Sequence, residues 1–283
     1  MTNAQSMSLR ARINRYAKQE GVSPQLALQG FFIERFLARI ERSEYAGNLA
    51  VKGGTLMCAI LGLPQRTTMD VDATVFGIRA DEERIVRIVE AVAAVDAGDG
   101  IRFRRDDSAL AGITKDDEYG GVGIGLVAEF GTIRLPIGVD VTYGDVITPA
   151  PEWRDIASAV DANVRIRVLA YPVETLMAEK LQSILKRGVA TTRPRDFYDL
   201  HMLRIRGGYD PETLRTAVAN TVRNRKSEGY FERRAEILAS IAGSEFQRRQ
   251  WERYRKKYPY ASSIEFEELV ESLAAILDGL RSQ

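Results

Sequence analysis

The sequence predicts an α+β fold, a mixed sheet with flanking helices followed by a helical C-terminal lobe. Three observations carry this expectation. As far as residue 170, segments of helical periodicity alternate with short apolar runs, the pattern of a sheet that carries helices. From Pro172 the apolar spacing is helical almost to the C-terminus. No Gly/Ser-rich linker marks the change, so the expected lobes are residues 1–170 and 171–283, directly joined.

Taken in order, residues 7–18 and 23–43 read as two helices. Ser23-Pro24 supplies an N-cap and a first-turn proline, and Leu28, Phe32, Phe36, Leu37 and Ile40 recur at helical spacing. The apolar run Leu49-Ala-Val51 reads as a strand ending in a tight Gly53-Gly54 turn, with Thr55 placed to cap a helix through Ile60. Gly62-Leu-Pro64 returns the chain to a strand over Met69–Phe76. A helix over 81–95, apolar at Ile85, Ile88, Val89 and Val92, precedes strands at Ile101–Arg105, Gly121–Phe130, Arg134–Tyr143 and Val164–Ala170. The polar stretch Asp106–Glu118 is expected to form a mobile loop.

Composition narrows the chemistry. The chain has 283 residues, 45% of them apolar, enough for a substantial core. No apolar run approaches the roughly 20 residues that span a bilayer. Met1–Lys18 lacks the apolar segment of a signal peptide, so a cytoplasmic protein is expected. The single cysteine, Cys58, sits in an apolar helical segment, as a small core residue in a reducing compartment would. With one histidine, His201, which reads as structural, zinc clusters and Ser/His or Cys/His catalysis have little to work with. Carboxylates, lysines, arginines and hydroxyls remain.

Net charge is only +1, yet residues 181–257 hold 18 Lys/Arg against 9 Asp/Glu, while Ala261–Gly279 carries acids only. Solvated helix faces account for such a segment. With Tyr254, Tyr258 and Tyr260 among the bases, it also suits RNA, whose phosphates seek cations and whose bases stack on aromatic rings.

The densest chemical signal is Gly53-Gly54 followed by Asp70-Val-Asp72. Side chains two apart on a strand share a face, so the two carboxylates project together. Beside a Gly-rich turn they can hold Mg²⁺ against a nucleoside triphosphate while backbone N–H groups meet the phosphates. A nucleotidyltransferase needs that arrangement. It is not a P-loop, because Lys52 precedes the glycines. A solvated strand end, or the Asp-x-Asp of a nucleotide-sugar enzyme, has the same spacing.

Further along come Gly138-Val-Asp140 within an apolar strand, Glu179-Lys180-Leu on a helix, and Arg193-Pro-Arg-Asp196-Phe-Tyr-Asp199-Leu opening another. Together with Lys52-Gly-Gly-Thr55 and Arg66-x-Thr-x-Asp70-x-Asp72, this ordered set resembles the AbiEii/AbiGii nucleotidyltransferases, the toxic halves of bacterial type IV toxin–antitoxin and phage-defence systems. The motifs span about residues 49–200. The resemblance implies a polymerase-β-like catalytic lobe over 1–170 and a helical lobe over 171–283 that completes a cleft for an NTP and its acceptor. Members of the family add nucleotides to the 3′ end of tRNA and so block translation; others have been regarded chiefly as GTP-binding. It therefore implies an enzyme with NTP and tRNA or other RNA as partners, a cognate antitoxin and no membrane. Thr55 stands where Gly-Ser is the commoner form, and keeps the hydroxyl.

On this reading Asp70 and Asp72 ligate Mg²⁺. Asp140 adds a third carboxylate, as a metal ligand or as acceptor of the attacking hydroxyl's proton, unless it is simply a solvent-facing strand residue. Lys180 fits a triphosphate clamp, or a helix lysine paired with Glu179 or an acid one turn away. Asp196 would orient Lys180 or the acceptor, and Asp199 reads as a structural hydrogen-bonding partner. Lys52 and Arg66, flanking Gly53, Gly54 and Thr55, would contact phosphates or hold the carboxylates. Two other functions stay open. A small-molecule nucleotidyltransferase would have no use for the basic segment, and a non-catalytic nucleotide- or RNA-binding regulator would not need Asp70, Asp72, Lys180 and Asp196 together.

Overall fold

The computed structural model describes residues 3–106, 112–113, 120–161 and 163–280. Two helices open the chain, α1 (Asn3–Glu20) and α2 (Pro24–Arg42). They are followed by β1 (Leu49–Val51), α3 (Gly53–Leu61), β2 (Asp70–Val75), α4 (Glu82–Ala94), β3 (Arg102–Arg105), β4 (Gly112–Ile113), β5 (Gly121–Phe130), β6 (Ile133–Thr142), β7 (Glu152–Ala157) and β8 (Arg165–Ala170). The rest is helical: α5 (Val173–Arg187), α6 (Pro194–Arg206), α7 (Pro211–Asn224), α8 (Glu228–Glu232), α9 (Arg234–Ala242), α10 (Glu245–Lys257) and α11 (Phe266–Gly279). The chain forms two compact units, Met1–Asp145 with Glu152–Ala170, and Val146–Pro151 with Tyr171–Gln283.

The first unit is built on one sheet of order β3-β5-β6-β2-β1-β8-β7, with β4 pairing β5 at the side. The ladders β2–β6 and β1–β8 are parallel and the others antiparallel, so the sheet is mixed. Ser23 caps α2 by accepting the Leu26 N–H, and Asp81 caps α4 by accepting that of Arg84. Helix α2 packs on β6 and β8 and buries Phe32, Phe36, Leu37 and Ile40. Trimming Phe36 to alanine would cost about 3–5 kcal/mol, transfer and cavity terms combined. Arg39 in the same helix is fully buried. Its guanidinium donates to Asp99 at 2.8 and 3.0 Å and to the Ile101 carbonyl at 2.7 Å, and lies 4.7 Å from the Phe103 ring centre.

Three expectations need correction. Helix α3 begins at Gly53, directly after the strand, so Thr55 lies inside its first turn and the N-cap is Lys52, whose side chain makes no capping bond. Strand β7 was not foreseen: only Ile156 of its six residues is buried, so no alternation reveals it. The same ambiguity hides β4, two residues long, within the stretch expected as a loop. The remainder of that stretch, 107–111 and 114–118, lies outside the described residues. Among the described residues no helix is long and apolar enough to cross a membrane.

In the second unit α5 packs against α6 and α7, and α11 against α6 and α9. His201 is buried on α6, with Nδ1 2.7 Å from the Ser272 hydroxyl, and burial holds its pKa below the usual imidazole value.

Candidate active site

The parallel ladder β2–β6 sets Asp72 beside Asp140 and Asp70 beside Gly138. With a period of two, all three carboxylates belong to one face. Asp140 reports their proximity: burial first, then the charges of Asp72 and Asp70, push its carboxyl up to about 6. Gly138 makes room, since a Cβ there would stand 2.4 Å from Asp70 Oδ1.

Asp72 meets the start of α3. The Thr55 N–H donates to Asp72 Oδ2 at 3.2 Å, placing the carboxylate at the positive end of the helix. The Thr55 hydroxyl donates to the Asp70 carbonyl at 2.9 Å and accepts the Asp72 N–H at 2.8 Å, which fixes helix to strand. Thr68 adds a second hydroxyl to the Asp70 carbonyl at 3.1 Å. Gly53 adopts φ +55°, and a Cβ on it would lie 2.7 Å from Asp72 Cγ, so both conformation and space call for glycine. Gly54 sits against Thr68, Asp72 and Arg66.

The two basic neighbours are not alike. Lys52 Nζ lies 2.6 Å from Asp145 Oδ2 and 2.6 Å from Thr142 Oγ1, and the Thr74 hydroxyl joins the same network. Its backbone N–H donates to the Asp72 carbonyl at 2.9 Å. Arg66 is buried to 1% exposure next to Gly54, and its guanidinium donates to the Thr67 carbonyl.

In the second unit Lys180 of α5 points its ammonium at α6, 2.9 Å from Asp196 Oδ1 and 2.7 Å from Asp199 Oδ2. Asp199 is fully buried and Lys180 nearly so. Beside them Arg225 joins Glu179 at 2.7 Å and Gln182 at 3.0 Å. Part of the basic segment is paired: Arg233 with Glu236, Arg248 with Glu267, and Arg255 with Glu265. Tyr254, Tyr258 and Tyr260, expected as stacking platforms, pack on one another, with the Tyr254 and Tyr260 hydroxyls 2.8 Å apart. Tyr254 is buried and also stacks on Trp251 at 5.3 Å, while Tyr258 and Tyr260 are half-buried.

Residues 35–272 match the family described as the nucleotidyl transferase AbiEii toxin of type IV toxin–antitoxin systems. The chain belongs to the AbiEii family. Three solved structures resemble it at low identity. A candidate nucleotidyltransferase from H. pylori is 14% identical, with 92% of this chain and 96% of that one covered at TM-score 0.49. JHP933 from Helicobacter pylori is 14% identical over 91% and 92% at TM-score 0.48. An antigenic nucleotidyltransferase-like protein from Paracoccidioides brasiliensis is 15% identical over 72% and 91% at TM-score 0.41. No curated protein matches the chain at a significant level.

For a chain of the AbiEii family the question is whether its carboxylates suit a divalent cation. Among the described residues no three His, Cys, Asp or Glu side chains are gathered closely enough to cage a metal by themselves. Mg²⁺ does not demand such a cage: it retains waters and binds through one or two carboxylates together with substrate phosphates. Asp70, Asp72 and Asp140 offer hard oxygen donors, and the mutual repulsion at Asp140 is what a cation relieves. The donor set fits. Gly138 and Thr68 lie inside the sequence motifs without a role of their own there, and Asp145 lies outside them. Asp145 bonds Lys52 across 93 residues of chain, and Thr142-Tyr-Gly-Asp145 looks like any strand exit.

Proposed function

We propose that this AbiEii-family chain is a Mg²⁺-dependent nucleotidyltransferase that moves nucleotides from an NTP to the 3′ end of tRNA, blocking translation. The observation carrying this is the register of β2 and β6, which sets Asp70, Asp72 and Asp140 on one face at the N-terminus of α3. Asp70, Asp72 and Asp140 would hold the metal, which when bound neutralises triphosphate charge in the in-line transfer. The first N–H groups of α3, at Gly53 and Gly54, supply donors for phosphate oxygens. Asp140, with its carboxyl pushed up to about 6, is suited to accept the proton of the attacking hydroxyl near neutral pH.

The contacts of Lys52 and Arg66 support positioning roles. Lys52 ties β1 to the end of β6 through Asp145 and Thr142, and Arg66 packs behind Gly54. Lys180 is proposed as a triphosphate point charge that Asp196 and Asp199 orient. For the acceptor, exposed Arg253, Lys256 and Lys257 on α10 supply cations for a phosphate backbone. A cognate antitoxin is the expected protein partner of a toxin from such a system.

The test is incubation with each labelled NTP, Mg²⁺ and total RNA. Label in the tRNA fraction that vanishes with EDTA is the expected result. Label in neither RNA nor protein would make the chain a binding protein, and label only in an added small-molecule acceptor would shift the substrate class.

A further inference from the structure

Within the first unit a cavity of about 460 Å³ lies among α1, α2, α3 and the end of β7. That volume is in the range of small-molecule sites. Ile33, Leu37, Leu63 and Ile156 give it apolar walls. Its ionisable lining is one-sided: Glu20, Glu34, Tyr16 and Cys58 face it, and among the described residues no lysine, arginine or histidine does.

Glu34 is the telling residue. It is largely buried, accepts the Ser158 hydroxyl at 2.6 Å and the Ala159 N–H at 2.8 Å, and pairs with Arg35 at 3.8 Å. Each carboxylate oxygen retains a lone pair beyond those bonds. Burial pushes the Glu34 carboxyl up despite these partners. Cys58, pushed up to about 12 by burial, stays a neutral thiol and contributes wall rather than reactivity.

We infer that this cavity is a binding site for a small organic cation, an apolar body ending in a protonated amine that reaches Glu34. The amine would donate to Glu34 and Glu20, and the body would lie against Ile33 and Leu63. The site also adjoins the aspartate face, since its lining residue Thr55 donates its N–H to Asp72. Thr55 and Thr68 line the cavity, and their hydroxyls are the two that hold the Asp70 carbonyl. An occupant therefore presses on the groups that set the metal-binding strand, so occupancy changes the rate of transfer; this coupling rests on the proposed function.

The probe is tryptamine, compared with tryptophol, its neutral isostere. Thermal unfolding of the full chain should show tryptamine raising Tm by roughly 5 °C at a hundredfold excess over its Kd, with tryptophol giving little. Ala59→Phe, at the half-buried cavity wall on α3, fills the space and should abolish the shift. Glu34→Gln should equalise the two probes. Since Glu34→Gln also weakens the bond to Ser158, exposed Glu20→Gln is the companion that cannot unfold the chain, and it should lower tryptamine affinity severalfold. Absence of any tryptamine shift in the wild type overturns the site, as does an equal shift with tryptophol or one undiminished in Ala59→Phe. The thermal readout needs no nucleotidyl transfer, so failure here and failure of the proposed function are distinguishable. A tryptamine-saturated enzyme with unchanged turnover would overturn the coupling alone.

Discussion

Each unit gathers carboxylates, with opposite charge balance. In the first, burial and then the like charges of Asp72 and Asp70 raise the pKa of Asp140 to about 6. In the second, Asp196 and Asp199 share the ammonium of Lys180 at 2.9 and 2.7 Å. In the second cluster the lysine already sits between its carboxylates and ties α5 to α6. Carboxylates brought together on one face suit a place that binds a cation, and carboxylates gathered round a lysine suit a place that holds two helices together.

Three substitutions and one salt titration can break or sharpen that contrast. The largest effect is expected from Asp72→Ala, which should lower kcat/KM about 10³-fold, some 4 kcal/mol of transition-state stabilisation, with the Tm held within a few degrees. Steady-state kinetics and circular dichroism read both, and wild-type turnover in this variant would remove the metal assignment. Lys180→Ala should act the other way round. It strands two carboxylates, one of them fully buried, and should cost about 3–5 kcal/mol in urea unfolding. If stability is unchanged, the second cluster is not structural, and any rise in KM for the NTP then belongs to lost phosphate contact.

The pH dependence follows from Asp140. Its folded carboxyl titrates near 6, above the roughly 3.9 of an unfolded aspartate, so the folded state binds the extra proton between those values. The stabilisation is fully present below about pH 4 and is lost as pH rises through about 6. Asp140→Asn should therefore raise Tm at pH 7.5 by a few degrees and flatten that loss. Wild-type Tm should also rise with Mg²⁺ at pH 7.5 but not at pH 4.5. Equal Mg²⁺ response at both values would contradict the assignment. The smallest effect belongs to α10: Arg253→Glu with Lys256→Glu should reduce the slope of log affinity for tRNA against log salt by about 1–2, with NTP binding unaltered. Arg255 is left out because Glu265 and Glu252 already occupy it.

How much of this could be read from the chain depended on whether a signal was local. Ser23, Asp81 and the spacing of Phe32, Phe36 and Ile40 announced their helices because caps and periodicity act within a turn or two. The pair Asp70 and Asp72 was legible for the same reason. What could not be read were partners made by sheet order. The bond between Lys52 and Asp145 exists because β1, β2 and β6 are neighbours, which no local pattern encodes. Thr55 had the right residue type for a cap, yet its hydroxyl serves the adjoining strand. Tyr254, Tyr258 and Tyr260 suggested a stacking surface because a basic, aromatic stretch looks alike whether the rings face water or one another.

The register that joins Asp72 to Asp140 also sets a timetable. Its two strands are 68 residues apart along the chain, and loops of that length must close before parallel pairing repays the entropy. A ribosome translating this protein completes Asp70 and Asp72 well before β6 exists, and every nascent chain shorter than about residue 142 lacks the third carboxylate and the strand that would align the first two. Assembly of the aspartate face thus waits until most of the first unit has been synthesised.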